Sequence, residues 1–240
     1  MKLPTIKLPK KITPCPILEA VVELRFDPNV EEGVVAGLVF SQMKQKFPKL
    51  ERLPLAELPA TIRESDPNLI YGALHRFSND DFRFQVGPRA FSLVCPKEYK
   101  GWTRFSAEIE SAFKVISDLG VVKKPQRIGV RYISFFSGLN IFDGIKLDLS
   151  LASNPLASEK NVLRTEFALD GFRQVLQLAN SAMLNKSTEG STVDIDIVFE
   201  GNNFSLTDFM PKVREAHDAQ KRLFFGILKE DFLKNYNPEY

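Results

Sequence analysis

The 240-residue chain has a formal net charge of +2 and is 44% hydrophobic. The near-neutral charge argues against tight non-specific nucleic-acid binding, which needs a run of phosphate contacts. The apolar content excludes a disordered chain. Two isolated cysteines, Cys15 and Cys95, have neither metal-ligand spacing nor the density of a secreted disulfide scaffold, so a cytoplasmic protein is expected. No uncharged apolar run reaches about 18 residues, so no membrane span is predicted.

Residues 1–15 carry Pro4, Pro9 and Pro14 among four lysines and read as an extended leader, not a signal peptide. A strand is predicted over 17–26, where Leu18, Ala20, Val22, Leu24 and Phe26 alternate with Glu19, Glu23 and Arg25. Asn29 with Glu32 resembles a capping box, opening a helix that runs to Phe47 and stops at Pro48. Gly33 and Gly37 lie inside it, four apart, and read either as close packing on the sheet or as merely tolerated at roughly 1 kcal/mol each. Residues 48–68, with four prolines, read as short edge strands and loops. A meander of strands over 69–77, 81–86 and 90–95 follows, then a helix from Trp102 to Leu119 with Gly120 as its C-cap.

The second half opens near Lys123-Lys124-Pro125. Strands are predicted over 126–136, 162–169 and 172–179, the last two forming a hairpin around Asp170-Gly171. A short strand near 145–149, a polar loop over 180–190 and a strand over 192–200 complete the β content. The final helix is capped at Asp208 and extends to about Asn235. The pattern predicts an α+β protein: a large, mostly antiparallel sheet with three long helices packed on one face. A leader (1–15) precedes two halves (16–122 and 123–240) that form one compact unit, and the halves resemble each other in element order only.

Charged residues gather on one parity of the long strands. Strand 17–26 offers Glu19, Glu23 and Arg25. Strand 126–136 offers Arg127 and Arg131, strand 162–169 Arg164 and Glu166, and strand 192–200 Asp194 and Asp196. With the apolar parities under the helices, all nine residues would share the opposite face. Three readings are open: a solvated surface of cross-strand ion pairs; a recessed face that binds a polar ligand or protein partner; or a divalent-metal phosphodiesterase or nuclease site built from Glu19, Glu23, Asp194 and Asp196. No Gly-rich phosphate loop, zinc signature, nucleophile elbow or cofactor motif is present, and neither His75 nor His217 sits in a catalytic pattern, so no catalytic residue, metal ligand or cofactor is assigned.

The segment Pro16-Ile17-Leu18-Glu19-Ala20-Val21-Val22-Glu23-Leu24-Arg25-Phe26 resembles the N-terminal signature Pro-Ile-x-Glu-Ala-Val-x-Glu-(Ile/Leu)-Arg-Phe of a sporadically distributed bacterial protein family of unknown function. Arg127-Ile128-Gly129-Val130-Arg131-Tyr132-Ile133 is similar to that family's Leu-Gly-Leu-Arg-Tyr-Ile-Asn segment, with Ser134 in place of its Asn. Residues 192–197 resemble its Asp-Ile-Asp strand, and residues 216–224 its His-containing last helix. The resemblance implies no activity. A patchy distribution implies mobile-element or defence-linked gene neighbourhoods.

The sequence therefore points to a binding or interaction module rather than an enzyme, acting on a small polar ligand or a protein partner, with the metal-dependent hydrolase as the alternative. The apolar residues Leu223, Phe224, Phe225, Ile227, Leu228, Phe232 and Leu233 nearly encircle the last helix, more than one covered face needs, which suggests a homodimer contact there.

Overall fold

In a computed structural model, residues 6–96, 98–156, 160–201 and 204–240 are described. The strands are β1 (Ile17–Pro28), β2 (Lys49–Arg52), β3 (His75–Ser78), β4 (Arg83–Val86), β5 (Ala90–Cys95), β6 (Val122–Ser137), β7 (Ser150–Leu151), β8 (Asn154–Pro155), β9 (Val162–Leu169), β10 (Phe172–Leu184) and β11 (Thr188–Glu200). The helices are α1 (Glu32–Met43), α2 (Ala60–Ser65), α3 (Trp102–Asp118), α4 (Ile141–Gly144), α5 (Phe209–Ile227) and α6 (Glu230–Lys234). Nine strands form one sheet in the order β2-β3-β4-β5-β1-β6-β11-β10-β9. The chain is thus α+β, as the element pattern predicts. No helix among the described residues is long and apolar enough to cross a membrane.

The chain divides into two compact units, each built from separated segments. One, the meander unit, comprises residues 20–129 and 199–214. Its buried sheet face follows the alternation in the sequence: Ala20, Val22, Leu24 and Phe26 of β1 are fully buried, and Leu24 pairs with Phe91, Val22 with Leu93. Val35, Val39 and Met43 of α1 and Phe105, Ile109, Ala112 and Ile116 of α3 are buried in the same unit. Phenylalanines dominate this core. Phe26 stacks on Phe91 with ring centroids 4.7 Å apart, and Phe113 stacks on Phe209 at 4.2 Å. Each buried Phe contributes about 1.5–3 kcal/mol relative to an exposed one.

The other, the hairpin unit, comprises residues up to Glu19 together with 130–198 and 215–240. Asp170 and Gly171 both have positive φ, as a two-residue β9–β10 turn requires. Val193, Ile195 and Ile197 of β11, Leu176 and Leu178 of β10, and Val130, Tyr132 and Phe136 of β6 are buried. From α5, Ala216, His217, Ala219 and Leu223 are buried as well.

Several local expectations change. The Asn29 capping box does not form. Asn29 Nδ2 donates instead to the Gly120 carbonyl, and α1 begins at Glu32 without a side-chain cap and ends at Met43. Gly33 and Gly37 face open space rather than the sheet. The first meander strand begins only at His75, because Asp66 accepts hydrogen bonds from Asn68 and turns the chain. The stretch 145–149 forms no strand: Asn140 caps the short α4, and Ile145 makes a single bridge to Leu228. The polar 180–190 stretch is mostly strand, with a register shift between Ala179 and Ala182 where Ser181 adopts positive φ.

The last helix is not continuous. It breaks after Ile227 because the Lys229 amide donates to Gly144 O and the Ile227 carbonyl accepts from Lys146 N. The apolar residues that suggest a dimer contact lie largely inside the hairpin unit: Leu223, Phe224, Phe225 and Leu228 are all buried. Leader residues 6–15 also belong to this unit. Lys10 N donates to Glu239 O at 2.6 Å, Thr13 N to Tyr236 O at 2.7 Å, and Glu239 N to Lys11 O at 2.9 Å. The remainder of the leader, 1–5, lies outside the described residues.

Candidate functional site

The nine charged candidates fall into one cluster in each unit. In the meander unit, Glu23 and Arg25 project from the polar parity of β1, opposite the face that packs under the helices. Glu23 pairs across the sheet with Ser92, and Ser92 with Gln85. The Glu23 Oε1 atom accepts from Arg25 Nε at 2.6 Å and from Arg127 Nη1 at 2.5 Å. Arg127 Nε also lies 3.5 Å from Glu200. The Arg127 side chain is only 12% exposed. Its guanidinium folds back along its own strand, where a Cβ on Gly129 would meet Nη1 at 2.9 Å. Glycine at 129 therefore gives the arginine room to lie flat.

Arg25 is held from two directions. Glu23 fixes its Nε, and the Tyr71 ring lies beneath its guanidinium, with Cζ 4.4 Å from the ring centroid. Its two Nη nitrogens take no protein acceptor among the described residues. They border a cleft of about 260 Å³ lined by Glu23, Arg25, Asn68, Tyr71, Gln85 and Ser92, with the Gly72–Ala73 backbone alongside. Tyr71 is steadied in turn by its hydroxyl, 3.3 Å from Gln126 Oε1.

In the hairpin unit, Arg131 forms a bidentate pair with Asp194: Nε donates to Oδ1 at 2.8 Å and Nη2 to Oδ2 at 2.5 Å. The hydrogen-bonded Asp194 carboxylate, with Asp196 and Glu19 adding their fields, pushes the Arg131 guanidinium above its already high pKa. Strand register supplies the rest of the face. Gln177 stands opposite both Arg164 and Asp194, and Val175 opposite both Glu166 and Asp196, so these four charged residues share one side. Arg164 pairs with Glu166, which also accepts from Arg173 at 3.2 Å. The Arg164 hydrogen bond holds the Glu166 carboxyl below its ordinary pKa, with Arg173 adding to the effect. Arg131 is 48% exposed and Asp194 14%. Arg131, Arg164 and Glu166 are thus partly solvated, while Asp194 is largely covered.

Among the described residues, no group of three or more His, Cys, Asp or Glu side chains is placed to hold a metal ion. Both Asp194 oxygens accept from the Arg131 guanidinium, so a divalent cation there would compete with a fixed positive charge. His217 is buried on α5, with its Nδ1 3.1 Å from the Tyr132 hydroxyl. Burial, reinforced by Lys221, lowers its pKa to about 3, so it is a neutral core histidine at physiological pH.

Strand alternation identifies Glu23, Arg25 and Arg127, and the same test applied to β4 and β5 would have found Gln85 and Ser92. Asn68 and Tyr71 come from a turn with no periodic signal. The Arg63–Glu32 pair joining α2 to α1, bidentate at 3.0 and 2.5 Å, has no signal at all at a separation of 31 residues. No protein-family model matches the chain, and no curated protein matches it.

Proposed function

We propose that the chain is a non-catalytic binding module of the cytoplasm, related to the bacterial family that its motifs resemble, and that its site is the cleft beside Arg25. The observation that carries this reading is the state of Arg25. A guanidinium oriented by a carboxylate and an aromatic ring, with its paired Nη donors turned to a polar cleft, is pre-organised to receive a carboxylate in fork geometry. Gln85, Ser92 and Asn68 add neutral hydrogen-bonding groups around it. The cleft is smaller than the roughly 300–1,000 Å³ typical of drug-sized ligands. An amino-acid-sized group fits, either as a free metabolite or as the acidic side chain or terminus of a protein partner.

Thermal melts with small carboxylates (glutamate, succinate) and their neutral amides test the reading. At about 10 mM, a weak single-site ligand with a Kd near 1 mM should stabilise the native state by about 1.4 kcal/mol. Carboxylates should raise the midpoint, amides should not, and Arg25→Gln should remove the effect. No stabilisation by any carboxylate, or equal stabilisation of Arg25→Gln, would overturn it.

A further inference from the structure

We infer that the outer edge of β9 is the seam of a homodimer, in which two copies of β9 pair antiparallel about a two-fold axis centred on Thr165. This inference does not depend on the Arg25 cleft, which lies in the other unit.

β9 ends the sheet order, with no strand beyond it among the described residues. Its eight residues, Val162–Leu169, contain no Pro, Gly or Lys and pair with β10 in an unshifted register. Edge strands are ordinarily protected from pairing by brevity, charged side chains (Lys above all), Pro or a bulge. The opposite edge shows such protection: β2 has four residues, and Lys49 and Arg52 stand at its ends. β9 is twice as long, without Lys, Pro or a bulge, and its two charges, Arg164 and Glu166, are of opposite sign and so can complement a second copy.

The phase of its backbone bonds is set by the turn. In a two-residue hairpin, the residues flanking the turn exchange both backbone bonds, and every second residue does so thereafter. Leu169 and Phe172 flank the turn, so Leu169, Phe167, Thr165 and Leu163 bond towards β10. The Asn180 N–H bond to Asn161 O continues that odd-numbered phase. The amides and carbonyls of Val162, Arg164, Glu166 and Ala168 therefore point outward.

A second β9 can use these groups in only a few antiparallel registers. One opposes Arg164 to Arg164 of the second copy, and another opposes Glu166 to Glu166. The register centred on Thr165 opposes Arg164 to Glu166 and Glu166 to Arg164. It also sets Val162 against Ala168 and engages all four outward-facing residues of each strand. Full backbone pairing and charge complementarity thus select the same register, and a two-fold axis satisfies both at once. On the apolar parity, half-buried Leu163 meets half-buried Phe167 of the second copy, a favourable aliphatic–aromatic cross-strand pair.

Sedimentation of the full chain between about 0.1 and 100 µM tests the seam, the range in which modest interfaces dissociate. The wild type should pass from monomer to dimer. R164E places like charges opposite each other and should weaken the dimer at least about tenfold, as should E166R, while R164E/E166R restores the complementarity and the dimer. Amide hydrogen exchange supplies an internal control. The outward Arg164 and Glu166 amides should gain protection only as concentration rises, whereas the Thr165 amide, bonded to β10, should be protected throughout and reports that each variant is folded. A wild type that stays monomeric at the top of the range would overturn the inference, as would a dimer that neither charge reversal weakens or one that leaves the Arg164 and Glu166 amides unprotected.

Discussion

Arg127→Ala should be among the more destabilising single substitutions on the charged parity, while Arg131→Ala, which looks equivalent in the sequence, should do little. Arg127 is 12% exposed and gives Glu23 a hydrogen bond of 2.5 Å. Hydrogen bonds to charged groups contribute about 1.5–3 kcal/mol, and breaking a fully buried pair costs about 3–5 kcal/mol. Glu23 keeps Arg25 and is itself 24% exposed, so the lower range applies. A loss of about 2–3 kcal/mol is expected, or about 5–10 °C in Tm for a chain of this size. Arg131 makes the more regular, bidentate contact but is 48% exposed, and water replaces much of what the alanine removes. About 1 kcal/mol or less is expected there. Urea unfolding at constant m-value compares the two variants directly. Gly129→Ala supplies a corroborating case, because its new methyl group meets the Arg127 guanidinium and should reproduce part of the Arg127→Ala loss. Equal costs for Arg127→Ala and Arg131→Ala would refute the argument from exposure.

Acid should destabilise the protein partly through His217. Its folded pKa of about 3 lies below the unfolded value of 6.5, so between these limits the unfolded chain binds the extra proton and stability falls as pH falls. At about 1.4 kcal/mol per pH unit, the loss by pH 4.5 is roughly 3 kcal/mol, and His217→Gln should flatten that part of the stability–pH curve. Arg63→Ala should cost about 2–3 kcal/mol in chemical unfolding, because the arginine side chain is 7% exposed and its partner Glu32 only 30%. Millimolar Mg²⁺ or Mn²⁺ should leave the melting midpoint unchanged, since no group of three or more possible ligands is placed together among the described residues and the Arg131 charge sits on Asp194. A metal-dependent rise that Asp194→Asn removes would favour the hydrolase alternative.

Period-two alternation is strong wherever one strand face is buried, and it places Glu23, Arg25, Arg131, Asp194 and their neighbours on the polar side without a structure. It carries no depth information. Arg127 and Arg131 are four residues apart on one parity, yet one is enclosed and the other is half in water, because their surroundings come from distant segments. Helical periodicity fails for a similar reason at Ile227. The apolar pattern continues into Phe232 and Leu233, while the break is imposed by Gly144 and Lys146, some 80 residues earlier. The 180–190 stretch misleads in the opposite sense: Asn, Ser and Gly suit a loop, but they equally suit the register shift and tight turn of a long hairpin.

The bonds from Lys10, Lys11 and Thr13 to Tyr236 and Glu239 have a consequence for synthesis. A chain emerging from the ribosome carries residues 6–15 long before their partners exist, and the hairpin unit cannot close until residues 236–239 have been made. The meander unit is on a different schedule: of its segments, 20–129 is complete at mid-chain and only 199–214 is late. Loss of residues 236–240 would therefore be felt at Lys10, Lys11 and Thr13. It would leave the backbone amides of Lys10, Lys11 and Thr13 without the carbonyls that accept from them.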